Sequence, residues 1–259
     1  MANRTALQTF GRSGNPMFRS NAFQPDATFD ETDSTQRMTL AGAINKTGIL
    51  LVLCLVSAGY VWNQFFQSGG SGAVKGLMML GLLGGLAMAM VTIFKRQWAG
   101  LTAPAYALLQ GLAMGGISAM FEMQYPGIVI QAVGLTFGTL AVLLLAYKTG
   151  LIKPTENFRF MIVAATGGIA VLYLVSFVMS FFGTSIGFIH SNGLFGIGFS
   201  VFVVAIAALN LVLDFDFIEA GAEQGAPKYM EWYGAFSLMV TLVWLYLEIL
   251  RLLAKLRSR

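Results

Sequence analysis

The chain has 259 residues, of which 56% are hydrophobic and only 11% are charged, and its formal net charge is +4. Soluble domains carry a charge on about 25% of their residues, whereas here apolar runs of membrane-spanning length recur along the chain. These values exclude a soluble globular domain and predict an all-α integral membrane protein. The single cysteine, Cys54, excludes a disulfide within the chain.

The first 43 residues are polar and punctuated by Gly, Pro, Ser and Asn, a composition that predicts a flexible segment. They lack the short apolar core and the small-residue cleavage site of a signal peptide. We therefore expect a flexible cytoplasmic N-terminal tail over residues 1–43 and a seven-helix transmembrane domain over residues 44–259.

Seven apolar segments follow the tail, each with about the twenty residues that a membrane helix needs. The links between them are short, which predicts that consecutive helices are antiparallel neighbours. The predicted spans are 46–66, 74–94, 101–121, 126–147, 160–182, 194–217 and 232–256.

Lysine and arginine residues are retained preferentially on the cytoplasmic side of a membrane. With a cytoplasmic N-terminus, the loops on the opposite side hold only Lys75, so we expect this orientation in the cell (inner or plasma) membrane. Seven crossings place the basic C-terminus outside, against this rule. A last segment that re-enters the membrane without crossing it would avoid the conflict. We expect seven crossings. The C-terminal basic residues are Arg251, Lys255, Arg257 and Arg259.

Two acids, Asp214 and Asp216, end the otherwise uncharged sixth span. A charge at membrane depth is costly and usually serves a function. The two aspartates are about 200° apart around a helix, so they cannot both face one site. Asp214 is the deeper and is our candidate for an interior ion or proton site, with Asp216 at the boundary. The alternative is that both are ordinary helix-end acids at the headgroup level.

The last span carries Glu248, which follows a long apolar stretch and precedes Arg251 by three residues. Glu248 is the second candidate for the ion or proton site; the alternative is a local ion pair with Arg251 within one helix. Asn210 lies one turn before Asp214 and can hydrogen-bond to it or to a neighbouring helix. We expect Asn210, Thr241 and Arg251 to surround the site.

Several seven-helix and enzymatic functions are excluded by missing residues. A retinal Schiff base needs a lysine inside a late helix, and residues 232–254 contain none. The only histidine, His190, lies in a predicted loop without His or Cys companions, which argues against a metal centre or a nucleophile with its base. No Gly-rich phosphate loop is present. We expect no enzyme, no nucleic-acid partner and no resident cofactor.

Four stretches resemble the Bax inhibitor / YccA family, also called the transmembrane Bax inhibitor motif proteins. They indicate a bacterial subgroup with an extended N-terminal tail, and the similarity runs from about Thr47 to Leu256. The stretches are Y-A-L-L-Q-G-L-A-M-G-G-I-S at 106–118, P-G-I-V-I-Q-A at 126–132, L-V-L-D-F-D-F-I-E-A-G-A-E-Q-G at 211–225 and L-Y-L-E-I-L-R-L-L at 245–253.

This resemblance implies a bundle whose last helix is wrapped by the first six. It also implies a pH-sensitive calcium leak controlled by one acid in span six and one in span seven. Asp214 matches the first acid, but Thr241 stands where the family has the second. Glu248 lies on the same helix face as Thr241, about 10 Å further along by helix rise, so we do not expect the direct bridge between two carboxyl groups.

The resemblance and the buried acids together favour a cation leak that conducts Ca²⁺, gated by carboxylates in spans six and seven, with Ca²⁺ bound only transiently, at Asp214. The alternative is a non-conducting interaction protein that modulates a membrane ATP-dependent protease, since some bacterial relatives are associated with one, or a stress complex. A transporter of protons or small solutes is a third interpretation. The lipid bilayer is the only partner common to all three, and the sequence does not determine the oligomeric state.

Overall fold

The computed structural model describes residues 36–183 and 193–258, without the side chains of Ser71 and Ala73. Most of the predicted tail and His190 therefore lie outside the described residues. The described chain forms seven long α-helices and a short 3₁₀ turn, Arg96–Trp98, before the third helix. The helices are α1 Leu40–Gln67, α2 Ser71–Phe94, α3 Ala99–Gln124, α4 Ile128–Lys148, α5 Glu156–Phe181, α6 Leu194–Glu223 and α7 Met230–Arg257.

Helix α1 begins at Leu40, four residues before the boundary that the composition suggested. Thr39 caps it, because its hydroxyl accepts a hydrogen bond from the backbone N–H of Gly42 at 3.0 Å, satisfying one of the amides that a helix start leaves open. Between α3 and α4 the turn is tight, and Gly127 adopts a positive φ of 80° there, which favours glycine because it has no Cβ.

Six of the seven helices are long and apolar enough to cross a membrane, so the chain is a multi-pass membrane protein. The exception is α3, which we predicted as a span. Its glycines, alanines and polar residues reduce its hydropathy but allow close packing. A methyl group added at Gly111 would collide with the backbone of Cys54 in α1, and one at Gly115 would collide with that of Ala58.

The described residues divide into two compact units. One contains residues 127–183, 193–216 and 241–258, with an apolar core around Ile169, Val203 and Leu213. The other contains residues 36–126 and 217–240 and has a core that includes Phe65 and Ala119. The long helices α6 and α7 each contribute residues to both units, which is why the acids of these helices fall into two separate environments.

Burial differs sharply among the six candidate spans. In the most apolar stretch of α6 and of α7, 50% and 56% of the residues are buried, against 17–28% in the other four. A helix that exposes most of its apolar side chains suits contact with lipid, whereas one that buries half of them packs mainly against protein. The candidate acids of the sequence therefore lie on the two most buried spans.

Candidate functional site

Polar residues share one face on each of the two most buried spans. On α7 they recur every seven residues, at Thr241, Glu248 and Lys255, and on α6 they stand fourteen residues apart, at Ser200 and Asp214, with Ala207 between them. Residues seven apart lie on nearly the same face of an α-helix. Each helix therefore has one stripe on which these residues lie, polar throughout on α7 and interrupted by Ala207 on α6, and every residue of both stripes is less than 8% exposed.

A direct contact relates the two stripes. The Nζ atom of Lys255 donates hydrogen bonds to the hydroxyl of Ser200 at 2.8 Å and to the carbonyl oxygen of Gly196 at 3.0 Å. Only six residues link α6 to α7, so the two helices run in opposite directions. Asp214 lies fourteen residues from Ser200 on α6, and Thr241 lies fourteen residues from Lys255 on α7. Fourteen residues of helix span about 21 Å, so Asp214 and Thr241 lie at the same level, at that distance from the Lys255–Ser200 contact.

Asp214 is almost completely buried, with 1% of its surface exposed. Asn210, one turn earlier, donates from its amide nitrogen to the Thr166 hydroxyl at 2.8 Å and to the Ile206 carbonyl at 2.9 Å. Both hydrogens of that amide are thus directed away from Asp214. Of the two roles expected for Asn210, the structure shows the hydrogen bond to a neighbouring helix.

Asp216 faces a different environment, as expected for a position about 200° around the helix. Its two carboxylate oxygens accept hydrogen bonds from one guanidinium nitrogen of Arg159, at 2.9 and 2.7 Å. The side chains of Arg159 and Asp216 are 21% and 15% exposed, so this ion pair is partly buried. Asp216 therefore joins the start of α5 to the end of α6.

Glu248 is only 2% exposed and lies in a closed cluster of three side chains. Arg251 Nη1 donates to both of its carboxylate oxygens, at 2.9 and 3.0 Å. The Tyr173 hydroxyl donates to Glu248 Oε1 at 3.0 Å and accepts from Arg251 Nη1 at 2.8 Å. The Arg251 guanidinium also lies over the Tyr173 ring, 5.3 Å from its centre. The local pair considered as an alternative is present, and Tyr173 ties it to α5.

A second buried glutamate, Glu231, lies in the first turn of α7. It is 1% exposed and forms ion pairs with Lys46 and with Lys228, the latter at 3.1 Å. It also accepts hydrogen bonds from the backbone N–H of Thr39 at 2.8 Å and from its hydroxyl at 2.9 Å. We call Glu231 and these three partners the Glu231 cluster.

The same region holds the residues before α1 against the link between α6 and α7. Met38 N–H donates to the Ala226 carbonyl at 2.6 Å, and Lys228 N–H donates to the Gln36 carbonyl at 2.8 Å. Met38 is buried. The last residues of the predicted tail are therefore docked on the protein by backbone pairing as well as by the Glu231 cluster.

Sequence reasoning missed several contributors to these clusters, and they differ in how readily they could have been found. Lys255 continues the seven-residue spacing of Thr241 and Glu248, so the pattern could have indicated it. Arg159, Tyr173 and Glu231 have partners 57 to 192 residues away, and no local pattern marks such a pair.

The described residues contain no group of three or more His, Cys, Asp or Glu side chains placed to hold a metal ion together. Gln131 on α4 accepts a hydrogen bond from Arg257 at 2.9 Å. The polar groups of the buried stripes are single carboxylates, hydroxyls and tethered cations.

Comparison with known proteins gives one match. No curated protein and no solved structure is significantly similar to this chain. The sequence model of the family described as Bax inhibitor 1 like matches residues 15–258, beginning well before Thr47, where we expected the similarity to start. Part of the N-terminal tail thus falls within the family pattern, and the chain belongs to the Bax inhibitor 1-like family.

Proposed function

We propose that this protein is a pH-sensitive cation leak of the Bax inhibitor type, that Ca²⁺ is the ion, and that Asp214 is the ion and proton site. The observation that carries the proposal is the 1% exposure of Asp214 in a helix long enough to span the membrane. A carboxylate is expensive to hold at such a place. We propose a transport role for it and no catalytic one.

The register of α6 and α7 supports a site built around one acid instead of two. Thr241 lies at the level of Asp214, and Glu248 lies two turns of helix further along α7, about 10 Å away. Ca²⁺ prefers several hard oxygen ligands. One carboxylate with a hydroxyl and backbone carbonyls would bind it weakly, which suits passage and not storage.

Protonation of Asp214 is the proposed gating event. A protonated carboxyl loses its negative charge, so it no longer attracts a divalent cation, and the packing of α6 against α7 changes at that level. Asp216 and Glu248 already face the guanidinium groups of Arg159 and Arg251. We therefore assign these two acids to holding helices in place, and Asp214 to the ion.

The proposed arrangement in the membrane follows the family expectation. We propose that α7 is the interior helix and that the others surround it, a view supported by its burial, the highest of the six candidate spans. We further propose a cytoplasmic N-terminus in a bacterial inner membrane. Seven crossings then place the basic C-terminus outside. The contacts of its cations support this placement, because Arg251 is held by Glu248, Lys255 by Ser200 and Arg257 by Gln131.

Ca²⁺ flux into dye-loaded proteoliposomes between about pH 6 and pH 8 tests the proposal. Wild type should leak with a rate that depends on pH, and Asp214→Asn should remove that dependence because an amide does not titrate. Asp216→Asn is the matched control, two residues away on the other side of α6, and should keep the pH dependence. An unchanged pH profile in Asp214→Asn would contradict the assignment.

A second candidate function is a non-conducting protein that modulates a membrane ATP-dependent protease or a stress complex. The docking of residues 36–39 on the α6–α7 link favours it, because this contact anchors the tail at a defined place on the protein. Deleting residues 1–35 leaves this anchor intact. The deletion should remove a partner role and leave ion flux unchanged, so the two functions respond to it in opposite ways.

A further inference from the structure

Lys255 is a buried cation in the last turns of α7, and only 6% of its surface is exposed. Its ammonium group donates to two neutral oxygens, the Ser200 hydroxyl and the Gly196 carbonyl. Both acceptors lie in the first two turns of α6, the end at which a helix carries positive partial charge. Lys255 itself lies in the last turn of α7, where the end of a helix favours a cation, so the start of α6 and the end of α7 act on its charge in opposite directions.

Further charges face Lys255 from its own helix. Glu248 and Arg251 are both close enough for their charges to act on it, and Arg251 occupies the carboxylate of Glu248. The acid nearest to Lys255 on the stripe is thus already neutralised by a tethered cation. Arg257 follows two residues later and contacts Gln131 on α4. Because residues two apart are about 200° around a helix, Arg257 lies off the stripe that carries Lys255.

We propose that Lys255 is a selectivity-determining residue of the leak: its ammonium closes one end of the stripe between α6 and α7 to divalent cations. The proposal rests on the proposed function. A divalent cation that leaves Asp214 along the stripe meets the Glu248–Arg251 pair and then the ammonium of Lys255. Repulsion grows with the charge of the moving ion, so the barrier is higher for Ca²⁺ than for K⁺. Conduction requires the Lys255 side chain to leave Ser200 and Gly196.

Lys255→Met tests the barrier because methionine keeps an unbranched side chain and removes the charge. The substitution removes a buried charge, which is costly to desolvate, and leaves two neutral oxygens, so we expect this variant to fold; thermal unfolding in detergent checks that it does. Lys255→Gln is the second variant, in case the apolar side chain packs differently. Arg257→Met is the matched control, since it removes an exposed cation from the same helix end.

Ca²⁺ and K⁺ flux are measured in the same proteoliposome preparations. Lys255→Met should raise Ca²⁺ flux by about tenfold and K⁺ flux by less, because the removed charge repels a divalent ion more strongly. Arg257→Met should change neither flux. An equal rise of both fluxes would show a loosened bundle instead of a charge barrier and would overturn the proposal.

The remaining outcomes separate the barrier from the leak itself. If wild type conducts Ca²⁺ and Lys255→Met conducts it equally, the barrier is wrong and the leak stands. If only the Lys255 variants conduct, and Asp214→Asn in that background suppresses the flux, the barrier and the Asp214 site are supported and the leak of the wild type is contradicted. If neither wild type nor the folded Lys255 variants conduct at any pH, the proposed function is wrong, and so is the proposal that Lys255 forms a barrier.

Discussion

The two buried glutamates of α7 differ in where their counter-charges come from. Glu231 binds Thr39 and Lys46, which precede it by 192 and 185 residues. Glu248 binds Arg251, three residues further along the same helix. Both side chains are at most 2% exposed, so each needs partners to offset its desolvation. Glu248 obtains its cation from local sequence, whereas Glu231 obtains most of its partners only when distant parts of the chain fold together.

This difference predicts different consequences of losing each cluster. The Glu231 cluster joins the start of α1 to the start of α7, so it acts as a tertiary contact. The Glu248 cluster is mainly one turn of a helix, with Tyr173 as its link to α5. Breaking the first should disturb the docking of the N-terminal segment, and breaking the second should disturb the charge balance of one helix face.

The largest expected effect is that of Glu231→Gln. An amide cannot neutralise Lys46 and Lys228, and breaking a buried ion pair costs about 3–5 kcal/mol. We expect a loss of about 4 kcal/mol in the free energy of unfolding, together with faster proteolysis before Leu40, because the segment at 36–39 loses its anchor. Thermal unfolding in detergent and limited proteolysis measure the two effects. Glu223→Gln, at an exposed acid of α6, is the control, and equal behaviour of the two variants would contradict the cluster's role.

Arg251→Gln should have the next largest effect. The substitution leaves the Glu248 carboxylate buried with the Tyr173 hydroxyl as its remaining contact in the cluster. The loss should be about 2–3 kcal/mol, below the upper values for a buried pair, because 43% of the Arg251 side chain is exposed. Glu248→Gln in the same background removes the stranded charge and should restore part of the stability. Additive losses in this double-mutant cycle would show that the two residues do not interact.

Tyr173→Phe removes one hydroxyl from the Glu248 cluster and leaves the ion pair in place. Hydrogen bonds to charged groups contribute about 1.5–3 kcal/mol, and here Arg251 continues to satisfy both carboxylate oxygens. We expect a loss of about 1 kcal/mol in thermal unfolding and no effect on the proteolysis of the N-terminal segment. Enhanced cleavage of that segment would mean that the two clusters are not separate.

Lys228→Met should have the smallest effect. Lys228 pairs with Glu231 at i,i+3, but 49% of its side chain is exposed, and such surface pairs contribute about 0–1 kcal/mol. Lys46→Met is the matched comparison, because only 16% of the Lys46 side chain is exposed. Unfolding measurements should show Lys46→Met to be clearly the more destabilising of the two; the reverse order would contradict the view that Lys46 is the principal cation of the Glu231 cluster.

Chain-level patterns predicted much of the architecture. Apolar runs of about twenty residues predicted seven helices and a multi-pass membrane protein, and the structure has seven long helices in those places. Helix α3 was predicted as a span, but it is not apolar enough to be a candidate span. Its small residues, which pack against Cys54 and Ala58, also reduce its hydropathy. The quoted motifs indicated the family, and the family match confirmed it.

The candidate site was predictable only where its chemistry is local. Spacing along the helix placed Asp214 and Asp216 on different faces, and i,i+3 spacing allowed the Glu248–Arg251 pair. Nothing in the local sequence indicated that Arg159 would meet Asp216 or that Thr39 and Lys46 would meet Glu231, since these pairs depend on which helices become neighbours.

The sequence by itself therefore determined the helices, the membrane environment and the family, because hydrophobic runs and helical periodicity are properties of consecutive residues. Only the tertiary structure decided which buried charges have partners and which level of α6 faces which level of α7. The Lys255–Ser200 contact sets that register. The physical reason is that the compensation of a buried charge is a property of the folded surroundings, and contributions from residues far apart in the chain come together only when the helices pack.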